Sequence, residues 1–220
     1  MHDKKSSVSF WQSSLGLLTL LRPKQWVKNA FVFSPLVFSG YITNASSVID
    51  AAIAAMFFCL ASSVVYIIND YNDVEKDRNH PVKSKTRPIA SGVVSKRAAL
   101  ISFLVLASFL FIGGYQLTPA LPVITLYFFI NLLYTFYLKH QPVLDIFTIA
   151  FGFVLRVYAG AMAIDVDVSA WMFVTTLCLA LFLASIKRKK ELTSVGTAGR
   201  EVLSKYSVEL VDKYAQMSSM

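Results

Sequence analysis

Between Asn69 and Gly92 the chain reads NDYNDVEKDRNHPVKSKTRPIASG, a stretch rich in charge of both signs between two apolar segments. Asn69, Asp73 and Asp77 recur at four-residue steps, so on a helix of 3.6 residues per turn they stack on one face over two turns. Asp70 stands beside that column and reaches the same space. Carboxylates and an amide in that order suit Mg²⁺, which takes hard oxygen ligands, keeps several waters and bridges one or two carboxylates to substrate phosphates. Lys83, Lys85 and Arg87 follow within ten residues of Asp77, in a loop expected to be non-helical because of Pro81 and Pro88. Acids for a metal and bases for phosphate oxygens together describe a receptor for a magnesium-bound diphosphate. The competing reading is a solvated loop with ordinary i,i+4 ion pairs.

Other ionisable groups extend the candidate chemistry. SIKRKKEL, residues 185–192, offers Lys187 and Arg188 to phosphate and Glu191, one turn on, as a metal ligand; alternatively it is only a basic membrane anchor. In LRPKQWVKN, residues 21–29, Lys24 and Lys28 are four apart and would share a helix face, either binding phosphate or anchoring a Trp-bearing interfacial helix. Asp145 and Arg156 fall inside one apolar run, about 16 Å apart along a helix, too far to pair with each other. Arg156 is the deeper of the two, with a structural salt bridge as its alternative role, while Asp145 could snorkel to the cytoplasmic edge. Asn131, Tyr134, Tyr137 and Lys139 gather near the end of another run, where the tyrosines could be interfacial belt residues.

The elements that must carry these groups are membrane helices. Mean hydropathy is +0.56, with 55% hydrophobic and only 15% charged residues, which favours a membrane protein over a soluble domain. Six apolar segments are expected as spans. The first is irregular and ends at Thr43; the others cover about 51–68, 98–117, 119–138, 142–164 and 168–186. The ten-residue alternation of a membrane barrel is absent, so the spans read as helices. Lys and Arg appear in every second linker, which predicts an inner-membrane protein with the N-terminus, the 69–97 segment, the Lys139 linker and the tail in the cytoplasm. That bias also accounts for the net charge of +8 without a nucleic-acid partner. Cys59 and Cys178 lie singly in apolar runs, and His2, His80 and His140 are scattered, so neither a disulfide framework nor a zinc site is indicated. Residues 1–220 read as one all-α, polytopic transmembrane domain. Oligomeric state is not legible.

NDxxDxxxD followed by HPxKxxxRPIASG resembles the first aspartate-rich motif of the UbiA superfamily of intramembrane prenyltransferases. The opening LRPKQWVKNAFVFSPLVFSG is similar to the branch of decaprenyl-phosphate phosphoribosyltransferases and their bacterial relatives, and the likeness runs from about Leu20 to the end. KRKKEL stands where prenyl-transferring members carry a second Asp-rich motif, and it resembles the K-R-x-x-E-L of the phosphoribosyl branch. The resemblance implies that Asn69, Asp70, Asp73 and Asp77 hold Mg²⁺, with Glu191 helping, and that Asp73 and Asp77 are catalytic. It implies phosphate binding by Lys24, Lys28, Lys83, Arg87, Lys187 and Arg188, with Tyr134, Lys139 and Arg156 also in the site. The implied donor is phosphoribosyl pyrophosphate and the implied acceptor a polyprenyl phosphate. Two other readings stand beside it: transfer of an isoprenoid from a prenyl diphosphate to an aromatic acceptor, and an inactive membrane fragment. The family fold implies about nine helices, so a chain of six spans is expected to be shortened at its C-terminus.

Overall fold

Long runs of Leu, Ala, Phe, Val and Ile without interior proline leave the backbone one way to satisfy its polar groups in an apolar setting, the α-helix. The computed structural model describes residues 10–195 and 208–219, and no strand occurs among them. Helix α1 (Phe10–Leu21) leads into a 3-10 helix (Pro23–Phe33) and a short α2 (Ser34–Phe38). Then come α3 (Ala45–Asn72), α4 (Val74–Arg78), α5 (Lys83–Thr86), α6 (Lys96–Leu117), α7 (Leu121–Phe136), α8 (Leu144–Ala163), α9 (Ala170–Val195) and α10 (Val208–Ser219).

Four described helices are long and apolar enough to cross a bilayer: α3, α6, α8 and residues Ala170–Thr193 of α9. The expected helical bundle is therefore present, with two spans differing in detail. The first is divided into α1, the 3-10 helix and α2, because Pro23 follows the left-handed Arg22 and Pro35 and Gly40 close the next turns. The fourth is the apolar but shorter α7, 16 residues long.

Two compact units divide the chain. The first holds residues 1–27 and 59–116, and its described core is built from Leu20, Ile67, Val74, Ile89, Val94 and Ala99. The second holds residues 28–58 and 117–220; α8 and α9 pack there with α10, sharing Ile146, Ala184 and Val211.

One contact in the second unit depends on the lack of a side chain. A Cβ on Gly160 of α8 would lie 1.8 Å from the Val32 carbonyl oxygen and 3.3 Å from Pro35 Cδ. Gly160→Ala must push backbone away from backbone and is expected to destabilise by about 1–3 kcal/mol. Gly152, where a Cβ would meet only side-chain atoms at 3.5 and 3.6 Å, is the matched control. Thermal unfolding in detergent reads both; equal midpoints would refute the close approach at Gly160.

Candidate phosphate and metal site

At 1.5 Å per residue the 28 residues of α3 span about 42 Å, more than a ~30 Å hydrocarbon core, so the polar NDYN end can extend past the apolar run. The helix breaks at Asp73, whose φ of −92° and ψ of 10° leave the helical region. The column nevertheless continues: Asp73 N–H donates to Asn69 O at 3.0 Å and Asp77 N–H to Asp73 O at 2.8 Å. Those i→i−4 bonds keep Asn69, Asp73 and Asp77 in helical succession across the junction. Asp70 and Asp77 are buried, and Asn69 and Asp73 are half-buried.

Asp70 is the centre of charge in the first unit. Its Oδ1 accepts from Arg22 Nη2 and, at 2.5 Å, from Arg87 Nη1. Its Oδ2 is buried without a hydrogen-bond partner among the described residues. Asp73 and Asp77 lie near enough for their negative charges to act on it. Lys83 Nζ stands 3.4 Å from Asp77 Oδ1. An open cavity of about 700 Å³ is bordered by Arg22, Lys24, Asp70 and Arg87 on its polar side and by Leu15 and Leu18 on its apolar side.

The segment carrying Lys83, Lys85 and Arg87 is not the irregular loop expected from its prolines. Lys83–Thr86 forms one helical turn, α5. Pro81 precedes that turn and so removes no helical hydrogen bond, as proline does at a helix start. The His80 ring takes the role of a cap, its Nδ1 accepting from the Val82 and Lys83 N–H groups at 3.2 and 3.4 Å. Lys85 is exposed.

Lys24 and Lys28 also need correction. They lie on a 3-10 helix, where side chains eclipse every three residues, so a four-residue step does not align them. Lys24 is exposed and Lys28 half-buried.

In the second unit Arg156 is buried and, among the described residues, makes no ion pair; in place of the salt bridge that was its alternative role it meets neutral acceptors and ring faces. Nε donates to Asn29 Oδ1 at 2.9 Å, Nη1 to the Gly152 carbonyl at 2.6 Å and Nη2 to the Tyr127 hydroxyl at 3.3 Å. The rings of Phe58, Tyr127 and Phe153 lie 5.0–5.1 Å from its guanidinium carbon, within cation–π range.

Asp145 does not snorkel. It sits in the first turn of α8, fully buried, with Oδ2 2.5 Å from Arg188 Nη2. Arg188 Nη1 donates to Glu191 Oε2 at 2.5 Å, and the Tyr134 phenol is hydrogen-bonded to the same guanidinium. Lys187 is exposed, Lys139 half-buried, and Tyr137 exposed as an interfacial tyrosine would be. Sequence reasoning passed over Arg22, Asn29, Ser63 and Tyr127. Two of these, Arg22 and Asn29, lie inside LRPKQWVKN itself.

The sequence profile of the UbiA prenyltransferase family matches residues 32–193. The chain belongs to the UbiA prenyltransferase family. It is 40% identical over 185 residues to the decaprenyl-phosphate phosphoribosyltransferase of Corynebacterium glutamicum, covering 80% of this chain and 54% of that one. It is 39% identical over 197 residues to the enzyme of the same name from Mycolicibacterium smegmatis, covering 85% of this chain and 60% of that one. The chain thus spans little more than half the length of these curated relatives. A UbiA homolog from Archaeoglobus fulgidus, solved bound to GPP and Mg²⁺, superposes with a TM-score of 0.77 at 19% identity, over 93% of this chain and 74% of that one. The family match and the apolar helices make this UbiA-family chain an integral membrane protein, and its all-helical fold is the one expected from sequence.

Proposed function

We propose that the protein transfers phosphoribose from phosphoribosyl pyrophosphate to a polyprenyl phosphate, with the Lys76–Arg97 segment on the cytoplasmic side of the plasma membrane. The observation that carries this reading is the 37–40% identity to decaprenyl-phosphate phosphoribosyltransferases over most of the chain. KRKKEL in place of a second Asp-rich motif supports the same branch.

The residues present fit a magnesium ion. Asp70 Oδ2 is a buried carboxylate oxygen that lacks a hydrogen-bond partner among the described residues, and Asp73 and Asp77 place further negative charge beside it. Among the described residues no three His, Cys, Asp or Glu side chains are gathered as a ready-made ligand set. That suits an ion which binds through one or two carboxylates, waters and substrate phosphates. Of the expected set Asn69, Asp70, Asp73 and Asp77, one or two carboxylates would hold it directly and the others through its waters; Glu191, already engaged by Arg188, serves that arginine in this reading. The chemistry such an ion would supply there is neutralisation of charge on the departing pyrophosphate.

The chain's own groups do the rest by binding and orientation. Within the first unit, Lys24, Lys83 and Arg87 take phosphate oxygens. An acceptor phosphate oxygen forms the new bond to ribose C1 as the bond from C1 to pyrophosphate breaks, the bonding electrons leaving with pyrophosphate. The acceptor is already anionic, so no general base has to remove a proton. Holding the two reactants in line supplies the main advantage.

The test is direct. The full chain, purified into lipid, is given Mg²⁺, ribose-labelled phosphoribosyl pyrophosphate and a polyprenyl phosphate. Labelled lipid is the expected product. Label that stays in water while a prenyl diphosphate and an aromatic acceptor react would replace this reading with prenyl transfer, the reaction the family name suggests.

A further inference from the structure

We propose that the cleft between α8, α9 and α10 is a binding site for an uncharged aliphatic alcohol of medium chain length, recognised by the Ser185 hydroxyl. This goes beyond the transfer reaction and does not rest on it.

The cleft lies within the second unit and has a volume of about 240 Å³. Ile146 and Phe147 line it from α8, Cys178 and Leu181 from α9, and Met217 from α10. At the density of a protein interior such a space accepts a chain of roughly ten carbons. Two contacts hold α10 in place as one of its walls. Val211 is fully buried against Ile146 and Ala184, and Lys189 Nζ lies 2.7 Å from Asp212 Oδ1.

Ser185 belongs to the same lining. It is fully buried, and its hydroxyl has no hydrogen-bond partner among the described residues. A serine hydroxyl on a helix can satisfy itself on the carbonyl four residues back. Ser218, also in the cleft, does so on the Tyr214 carbonyl at 2.8 Å; Ser185 does not. A buried hydroxyl left unpaired is costly, so a ligand that pairs with it gains a hydrogen bond that an alkane cannot supply. A hydroxyl both donates and accepts, which matches Ser185 in either role. The described lining residues carry no charge. A carboxylate or phosphate head would be desolvated there with no cation to meet it, which leaves a neutral head on an apolar chain.

The backbone in the cleft wall is strained. Val143, which precedes α8, has φ of 70° and ψ of −52°, and Leu144 N–H donates to the Pro142 carbonyl at 2.8 Å. That is a γ-turn of the rare hand, on a β-branched residue that seldom adopts positive φ. Such strain collects at ligand sites.

The experiment photolabels the purified full chain in nanodiscs with a diazirine analogue of decanol and maps the label by mass spectrometry. Label is expected to saturate on the cleft residues of α8, α9 and α10, and decanol should compete at least tenfold better than decane or decanoate. Ser185→Ala should abolish the advantage of decanol over decane. Its melting temperature without ligand should equal or exceed the parent's, because no hydrogen bond is lost. Cys178→Phe, which fills the cleft, should remove the saturable label. Label that never saturates and spreads over exposed Leu104 and Ile112 of α6 would overturn the site, as contact with any apolar phase would produce it. A parent that binds decane as well as decanol, or a folded Ser185→Ala variant that keeps the preference, would overturn the role of the hydroxyl. A lower melting temperature in Ser185→Ala would do the same, since it would mean that the hydroxyl is already bonded. Labelling needs no turnover, so failure of the transferase reading leaves this result standing.

Discussion

Arg188→Leu is expected to destabilise the protein by about 3–5 kcal/mol, because it removes the buried cation that Asp145 and Glu191 share. The pair is almost free of solvent, with side-chain exposures of 2% for Arg188 and 0% for Asp145. Both terminal nitrogens of the guanidinium meet carboxylate oxygens at 2.5 Å, Asp145 on one side and Glu191 on the other. Removing both buried charges should cost far less than removing one, since the desolvation penalty of each ion disappears with it. Asp145→Leu/Arg188→Leu is therefore expected to recover most of the stability lost in Arg188→Leu. A double-mutant cycle on unfolding in detergent measures the coupling. The same cycle weighs two roles for Arg188. If its main work were to grip phosphate, Arg188→Leu would fold normally and lose only substrate affinity, and the coupling with Asp145 would be near zero.

That pair marks where sequence reading stops. The apolar runs and the alternation of basic linkers made the helical bundle legible, because each is a local property of consecutive residues. The acid column was legible for the same reason: four-residue steps survive the break at Asp73, since the i→i−4 bonds into Asp73 and Asp77 persist. Pairings between helices were not. Asp145 could be seen as a costly charge, but nothing along the chain names Arg188 as its partner. Arg156 meets Asn29 across 127 residues of sequence, and the salt bridge weighed as its alternative role is absent among the described residues because an amide, a carbonyl and three rings hold it instead. Lys24 and Lys28 misled through helix type, because a 3-10 helix has a different repeat from the one assumed. Arg22 was hidden by its neighbour: next to Pro23 it reads as part of a helix break, and only its left-handed backbone and its bond to Asp70 show where its side chain goes.

In the proposed phosphoribosyl transfer, Asp73→Ala is expected to lower the rate by about 10²–10³-fold, the usual cost of removing one group that stabilises developing charge at a reacting centre. The choice among the acids follows from their surroundings. Asp77 is buried with Lys83 at 3.4 Å, and Asp70 is shared between two arginines, so replacing either disturbs the charges around it as well as any ion. Asp73 is half-buried at the junction of α3 and α4, with non-helical backbone that alanine can adopt. Its loss should leave the unfolding free energy within about 1 kcal/mol of the parent, as for a site away from the core. The metal reading makes a second demand. Mn²⁺ bound to the protein, followed by its paramagnetic resonance signal in the absence of substrate, should be weakened in Asp73→Ala and unaffected in Lys85→Ala, which changes an exposed charge in the same segment. A variant with unchanged Mn²⁺ affinity but slow transfer would keep Asp73 in the site and remove it from the metal. Unchanged transfer would remove it from both, and the acid column would then be no more than a solvated helix end.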